Sequence, residues 1–161
     1  MHQSIHEGGP VDKDSALSRE QWTLEKCAEY GLRRTAALTA VIAELTALEK
    51  PISLGDLGQM GQTQKLEELC DQATLYRILI RLEQCGLVRK LRSHDRAALF
   101  VMKYPGEHGD YLVCDNCGET TLLEMDCPVE GLEQSLSKQS GYTNITHELE
   151  FFGLCPQCQS T

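Results

Sequence analysis

Residues 71–102 read DQATLYRILIRLEQCGLVRKLRSHDRAALFVM, and their reading decides the fold. In the first half, Leu75, Ile78, Leu79 and Leu82 fall on one face of a helix, with Asp71 as an acidic start and Gly86 as a stop. The second half places two short apolar runs around the polar tip Ser93-His94-Asp95-Arg96, as in a β-hairpin. Upstream, SREQWTLEKCAEYG (18–31) predicts a helix capped by Ser18. RTAALTAVIAELTALE (34–49) sets Leu38, Val41, Ile42, Leu45 and Leu48 on one helical face and is ended by Pro51. SLGDLGQMG (53–61) predicts a short, weak helix, whereas the polar run QTQKLEEL (62–69) indicates no definite conformation. Three helices followed by a hairpin describe a winged helix-turn-helix, whose last helix enters the DNA major groove.

The pattern changes after residue 103. KYPGEHG (103–109) reads as a hinge. DYLVC and ETTLLE look like paired strands around a CDNCG turn, and PVEGLEQSLSKQSG (128–141) like a helix with Pro128 in its first turn. YTNITHELEFFGLC (142–155) alternates as a third strand, with Ile145, His147, Leu149 and Phe151 on one face. The expectation is an α+β chain: a mobile tail over 1–16, a winged-helix DNA-binding domain over 17–103, a hinge over 104–109, and a small α/β domain over 110–161.

Composition agrees with that division. The 161 residues are 41% hydrophobic, enough for a packed core and too many for general disorder. Net charge is −9, but it is uneven: from residue 104 onward one lysine faces ten acids, while residues 31–103 hold 11 basic and 8 acidic side chains. Such asymmetry indicates two domains with different partners. No apolar run approaches the roughly 18 residues of a membrane helix, and the polar start lacks a signal-peptide core. The expectation is a soluble, cytoplasmic protein without a membrane partner.

Eight cysteines in a reducing compartment point to metal or redox chemistry rather than to disulfides. Cys27, Cys70, Cys85 and Cys127 stand singly and read as small buried hydrophobes. The other four form C-x2-C, 37 residues, C-x2-C. Two thiolate pairs on short turns supply the tetrahedron of soft ligands that Zn2+ takes, so Cys114, Cys117, Cys155 and Cys158 predict a structural zinc site. A redox pair would need a C-x-x-C at a helix N-terminus, where the dipole lowers a thiol pKa. Just before the first pair, His108 and Asp110 stand two apart, so on a strand both would point at one ion. An imidazole and a carboxylate suit Fe2+, Mn2+ or Zn2+.

GLRRT (31–35), ATLYRILIRLEQCGLV (73–88), HGDYLVCDNCGE (108–119) and FFGLCPQC (151–158) resemble, in order and spacing, the motifs of the ferric uptake regulator (Fur) family. The resemblance covers about residues 24 to 158. It implies a homodimeric, metal-responsive transcription factor with a C-terminal dimerisation domain, in which metal loading favours binding to an inverted-repeat DNA operator and causes repression. It also implies a regulatory site of His108 and Asp110 completed by His147 and Glu130, with Glu124 as a rival because Glu130 aligns only with a one-residue insertion. A second family site departs from the pattern: Tyr111, Val101, Leu122, and Lys50 or Pro51 stand where ligands are usual. His94 at the wing tip is a candidate substitute.

For DNA, the resemblance puts Tyr76 and Arg77 against the major groove and Arg33 toward the minor groove, while Leu38 replaces a usual arginine. Arg89, Lys90, Arg92 and Arg96 of the wing are candidates for backbone contacts. The leading expectation is a repressor of iron- or zinc-uptake genes. A peroxide sensor of the same fold and a zinc-ribbon redox or protein-binding module are the alternatives. No nucleophile–base pairing is visible, so no enzyme is expected.

Overall fold

The computed structural model describes residues 16–160 apart from 49, 62, 63, 92–96, 108, 124 and 126. The chain forms two compact units, Met1–Glu107 and His108–Thr161.

The first unit begins with α1 (Ala16–Glu29), three residues earlier than a cap at Ser18 predicts. α2 (Ala36–Ala47) starts where the Thr35 side chain accepts the Leu38 N–H at 3.1 Å. Leu38, Val41, Ile42 and Leu45 turn its apolar face inward, so Leu38 is a core residue. Ile52–Ser53 forms a short strand, β1, which the sequence pattern did not announce, and α3 (Leu54–Gly58) and α4 (Leu66–Leu69) follow. α4 lies within the run that carried no periodic signal.

α5 (Gln72–Gln84) is capped by Asp71, whose carboxylate accepts the Thr74 N–H at 2.6 Å. Leu75, Leu79 and Leu82 are fully buried on its inner face. Gly86 ends it with φ +71°, a left-handed turn that any Cβ would strain. β2 (Val88–Leu91) and β3 (Leu99–Met102) then pair antiparallel, and β1 joins on the far side of β3, giving the order β1-β3-β2. The hairpin tip lies outside the described residues.

Beyond β3, Tyr104 is buried. Its ring lies 5.7 Å from that of Trp22, and the Arg19 guanidinium stands 4.7 Å over it. Arg19 Nη2 also donates to Glu107 Oε1 at 2.8 Å. The first residues of the expected hinge are therefore fastened to α1.

The second unit is built on β4 (Tyr111–Cys114), flanked by β5 (Thr120–Leu122) and β6 (Glu150–Gly153). β5 is antiparallel to β4, whereas β6 is parallel to it, with Tyr111 opposite Glu150. A parallel neighbour needs a crossover, and α6 (Glu130–Ser140) supplies it. Pro128 precedes this helix rather than sitting in its first turn, and Val129 is its N-cap. The third strand is also shorter than its alternation predicts: Ile145, His147 and Leu149 belong to the irregular stretch before β6. α7 (Pro156–Gln159) ends the described chain.

Leu79 touches the centre of the first unit's core at zero exposure. Leu79→Ala should destabilise that unit by about 2–5 kcal/mol through lost burial and a residual cavity, measured by denaturant unfolding of both proteins.

Candidate metal centres

Cys114 is the last residue of β4, and Gly118, at φ +77°, folds the chain back so that Cys117 faces it. Cys155 caps α7 and Cys158 lies within it, so the second pair does open a helical turn. The ligand atoms of all four cysteines nevertheless lie within 4.8 Å of one another. Cys117 Sγ and Cys155 Sγ are 3.7 Å apart, against roughly 3.8 Å for two thiolates on one tetrahedral zinc with bonds near ~2.3 Å. A paired redox site is not favoured by four sulfurs converging on one point.

The backbone N–H groups of Cys117 and Cys155 aim at Cys114 Sγ, the latter at 3.3 Å, and hold its thiol down to about 6. At Cys117 the Glu119 amide pulls the thiol down, but hydrogen bonding among Cys114, Cys155 and Cys158 outweighs it and pushes the group up to about 12. One thiolate thus makes the next one costlier. A divalent cation removes that conflict, because every ligand meets it as a thiolate. The donor set fits Zn2+.

A second cluster lies in the same unit. Asp110, Cys127 and His147 bring one ligand atom each within 4.8 Å of the others, and Asp110 is only 6% exposed. Cys127 Sγ is 3.1 Å from His147 Nε2. The other ring nitrogen, Nδ1, lies 2.6 Å from Glu133 Oε1. A carboxylate only accepts, so the contact with Glu133 is satisfied by a proton on Nδ1, and Nε2, the nitrogen that faces Cys127, is the one placed for a metal. This carboxylate–histidine pairing is the usual support of a metal-ligating imidazole.

Of the expected regulatory ligands, Asp110 and His147 are thus brought together. His108 and Glu124 lie outside the described residues, and of Glu130 only its place at the start of α6 is described. Asp110 precedes β4 rather than lying on it, so the shared strand face expected of His108 and Asp110 is not what positions it. Cys127 and Glu133 were missed. Cys127 stands alone in sequence, 20 residues from His147, and no local spacing marks it. Glu133 had a signal: it is an acidic residue about one helical turn after Glu130 in the sequence. The remaining single cysteines behave as small hydrophobes; burial pushes the Cys27 thiol up to about 11 and raises Cys70 and Cys85. These two clusters are the groups of metal-ligating side chains among the described residues. Val101 and Tyr111 are buried in their strands and Leu122 is exposed.

On the candidate DNA face, Tyr76 is 42% exposed and Arg77 is exposed beside it, donating to Thr74 Oγ1 at 2.8 Å. Arg33 and Lys90 are exposed. Arg89 is not: at 7% exposure, opposite Val101 in the sheet, it does not suit the backbone contact expected of it. Arg92, His94 and Arg96 lie outside the described residues.

A family profile described as the Ferric uptake regulator family matches residues 29–152. The chain belongs to that family. It is 34% identical to the ferric uptake regulation protein of Neisseria gonorrhoeae over 88 residues, which are 55% of this chain and 60% of that relative. With the zinc uptake regulation protein of Mycobacterium tuberculosis it shares 29% identity over 131 residues, covering 81% of this chain and 97% of the relative. In three dimensions it resembles the ferric uptake regulator of Helicobacter pylori, a structure described as having three functional metal-binding sites, with TM-score 0.68, 19% identity, and coverage of 92% and 96%. Within the Fur-family fold, the tetrad and the Asp110 cluster both lie in the C-terminal unit.

Replacing Cys114 or Cys155 by serine should abolish the binding of one zinc per chain and lower the melting temperature of the 108–161 unit, because a structural metal contributes folding free energy. Metal analysis beside thermal denaturation checks this; a serine variant that melts like the parent without zinc refutes the structural role.

Proposed function

We propose that this chain is a cytoplasmic, metal-dependent transcriptional regulator, a repressor of iron- or zinc-uptake genes that binds an inverted-repeat DNA operator as a homodimer and catalyses no reaction. The observation that carries this reading is the pairing, in one Fur-family chain, of a recognition-type helix with exposed Tyr76 and Arg77 and a second unit holding two metal-ligand clusters.

The first unit is the DNA-binding domain. α5 presents Tyr76, whose ring can meet a thymine methyl, and Arg77, which can hold guanine or phosphate. Arg33, next to the Thr35 cap of α2, reaches toward the minor groove, and Lys90 contacts phosphate. The second unit is the dimerisation domain. Leu112 and Phe151, in register across β4 and β6, and Leu132 and Leu136, one turn apart on α6, are exposed in the single chain and are covered in the dimer. The pivot between the domains begins after Glu107, since Tyr104 and Glu107 are held on α1.

Cys114, Cys117, Cys155 and Cys158 hold the structural zinc. The regulatory metal, Zn2+, Fe2+ or Mn2+, takes Asp110 and His147, with His108 and Glu130 as the family-based partners. When bound, that cation neutralises the buried Asp110 carboxylate and ties it to His147. Glu133 holds the His147 imidazole in the ligand-competent tautomer. The metal acts as a switch only by binding one arrangement of the dimer more tightly than the other.

Fluorescence anisotropy on an inverted-repeat duplex selected by the protein from a random pool tests the reading. Tyr76→Ala and Arg77→Ala should each cost about 1–3 kcal/mol in binding while leaving the dimer and its metal content unchanged. His147→Ala should keep the four-cysteine zinc and the dimer but lose metal-stimulated binding; parental metal response in that variant places the sensor elsewhere.

A further inference from the structure

We infer that Cys127 is a thiolate ligand of the regulatory metal and makes that centre selective for Zn2+. The inference rests on the regulatory site proposed above and adds the residue that chooses its metal.

Three observations point the same way. The cysteine is placed for coordination: its Sγ lies 3.1 Å from the Nε2 of a histidine whose other nitrogen is engaged by Glu133 at 2.6 Å. On a tetrahedral zinc, a sulfur and a nitrogen ligand stand roughly 3.5 Å apart, so an outward shift of a few tenths of an ångström admits the ion. Asp110, buried to 6% exposure, contributes a third ligand atom within 4.8 Å. Carboxylate oxygen, thiol sulfur and imidazole nitrogen converging from three separate segments on one buried point are a donor set that a divalent cation can join. Finally, the chain holds Cys127 there by its own architecture. It sits just before Pro128 and the start of α6, while Asp110 precedes β4 and His147 precedes β6, so the three ligands come from the entries to three different elements.

The chemistry of the donor set then narrows the metal. A carboxylate accommodates Mn2+, Fe2+ or Zn2+, an imidazole favours Zn2+ and Fe2+ over Mn2+, and a thiolate favours Zn2+ over both. Zn2+ is the member of the candidate group that suits all three. A site of oxygen and nitrogen ligands alone would leave iron and manganese as competitors; the sulfur removes that parity. Binding replaces the Cys127 S–H proton by the metal and releases it to solvent, so no oxidant or reductant is involved.

The test uses the full-length dimer with its four-cysteine site filled by Zn2+, and Co2+ as a spectroscopic probe of the second site. The parent should develop a near-ultraviolet thiolate-to-cobalt charge-transfer band with the next equivalent of Co2+, and Cys127→Ser should bind without that band. In chelator competition, Cys127→Ser should lose at least about tenfold to a hundredfold in Zn2+ affinity, the range already seen when outer-shell partners of a metal are removed, with a much smaller change for Mn2+. Cys127→Asp, which supplies a hard oxygen instead, should shift the preference toward Mn2+, and it keeps the test decisive should the serine variant fold poorly. A parent without the band, or a Cys127→Ser protein with parental zinc affinity, overturns the inference. If His147→Ala loses the second equivalent while Cys127→Ser retains it fully, the regulatory site stands and the thiolate role alone falls; if neither loses it, both readings fall.

Discussion

The C-terminal unit spans 54 residues, from His108 to Thr161, and its central pairing joins β4 to β6 in parallel between residues 39 apart in sequence. Such a pairing closes a long loop before any contact rewards it. Little apolar burial is available to offset that cost: among the described residues the buried hydrophobics of this unit are Tyr111, Val113 and Cys114, whereas the first unit buries seventeen. A domain this small ordinarily needs a staple. The converging sulfurs of Cys114, Cys117, Cys155 and Cys158 sit at the end of β4 and just past β6, where one zinc ion would tie the two strands together.

The same constraint explains where a second ion belongs. Asp110 stands directly before β4, and Cys127 and His147 each stand three residues before α6 and β6. The tetrad closes one end of the β4–β6 pair, and this cluster gathers the segments that enter it from the other. The tetrad offers four thiolates, the kind of set that binds zinc tightly and stabilises a small fold. The second cluster differs in having mixed donors and a carboxylate, Glu133, beside its histidine.

The first unit has no such dependence. Its core runs from Cys27 through Phe100, and α5 is held by Leu75, Leu79 and Leu82 while its opposite face leaves Tyr76 and Arg77 in solvent. A rigidly packed helix is a better reader of a groove than a mobile one, because the ordering cost is met on folding rather than on binding. Tyr104, packed against Trp22 and under Arg19, extends that packed body past the last strand.

What sequence determined and what tertiary structure decided divide along the range of the interactions concerned. α2 and α5 were legible because three- and four-residue apolar spacing is a local property, as was the acidic start of α5 at Asp71. The cysteine pairs were legible because zinc knuckles keep two ligands within one short turn. β1, with two residues, and α4, with four, carry too few positions to show a period, and only their neighbours hold them in place. The alternation over 142–155 predicted a longer third strand than forms, because only pairing with β4 sets the length of β6. Arg89 read as a wing cation, and the sheet buries it. Cys127 and Glu133 meet His147 only because the chain folds the start of α6 and the approach to β6 together, which also brings Asp110 close, 37 residues from His147 in sequence. A lone cysteine in sequence is a small hydrophobe until the fold supplies its partners, since a metal site is defined by distances in space that no linear spacing encodes.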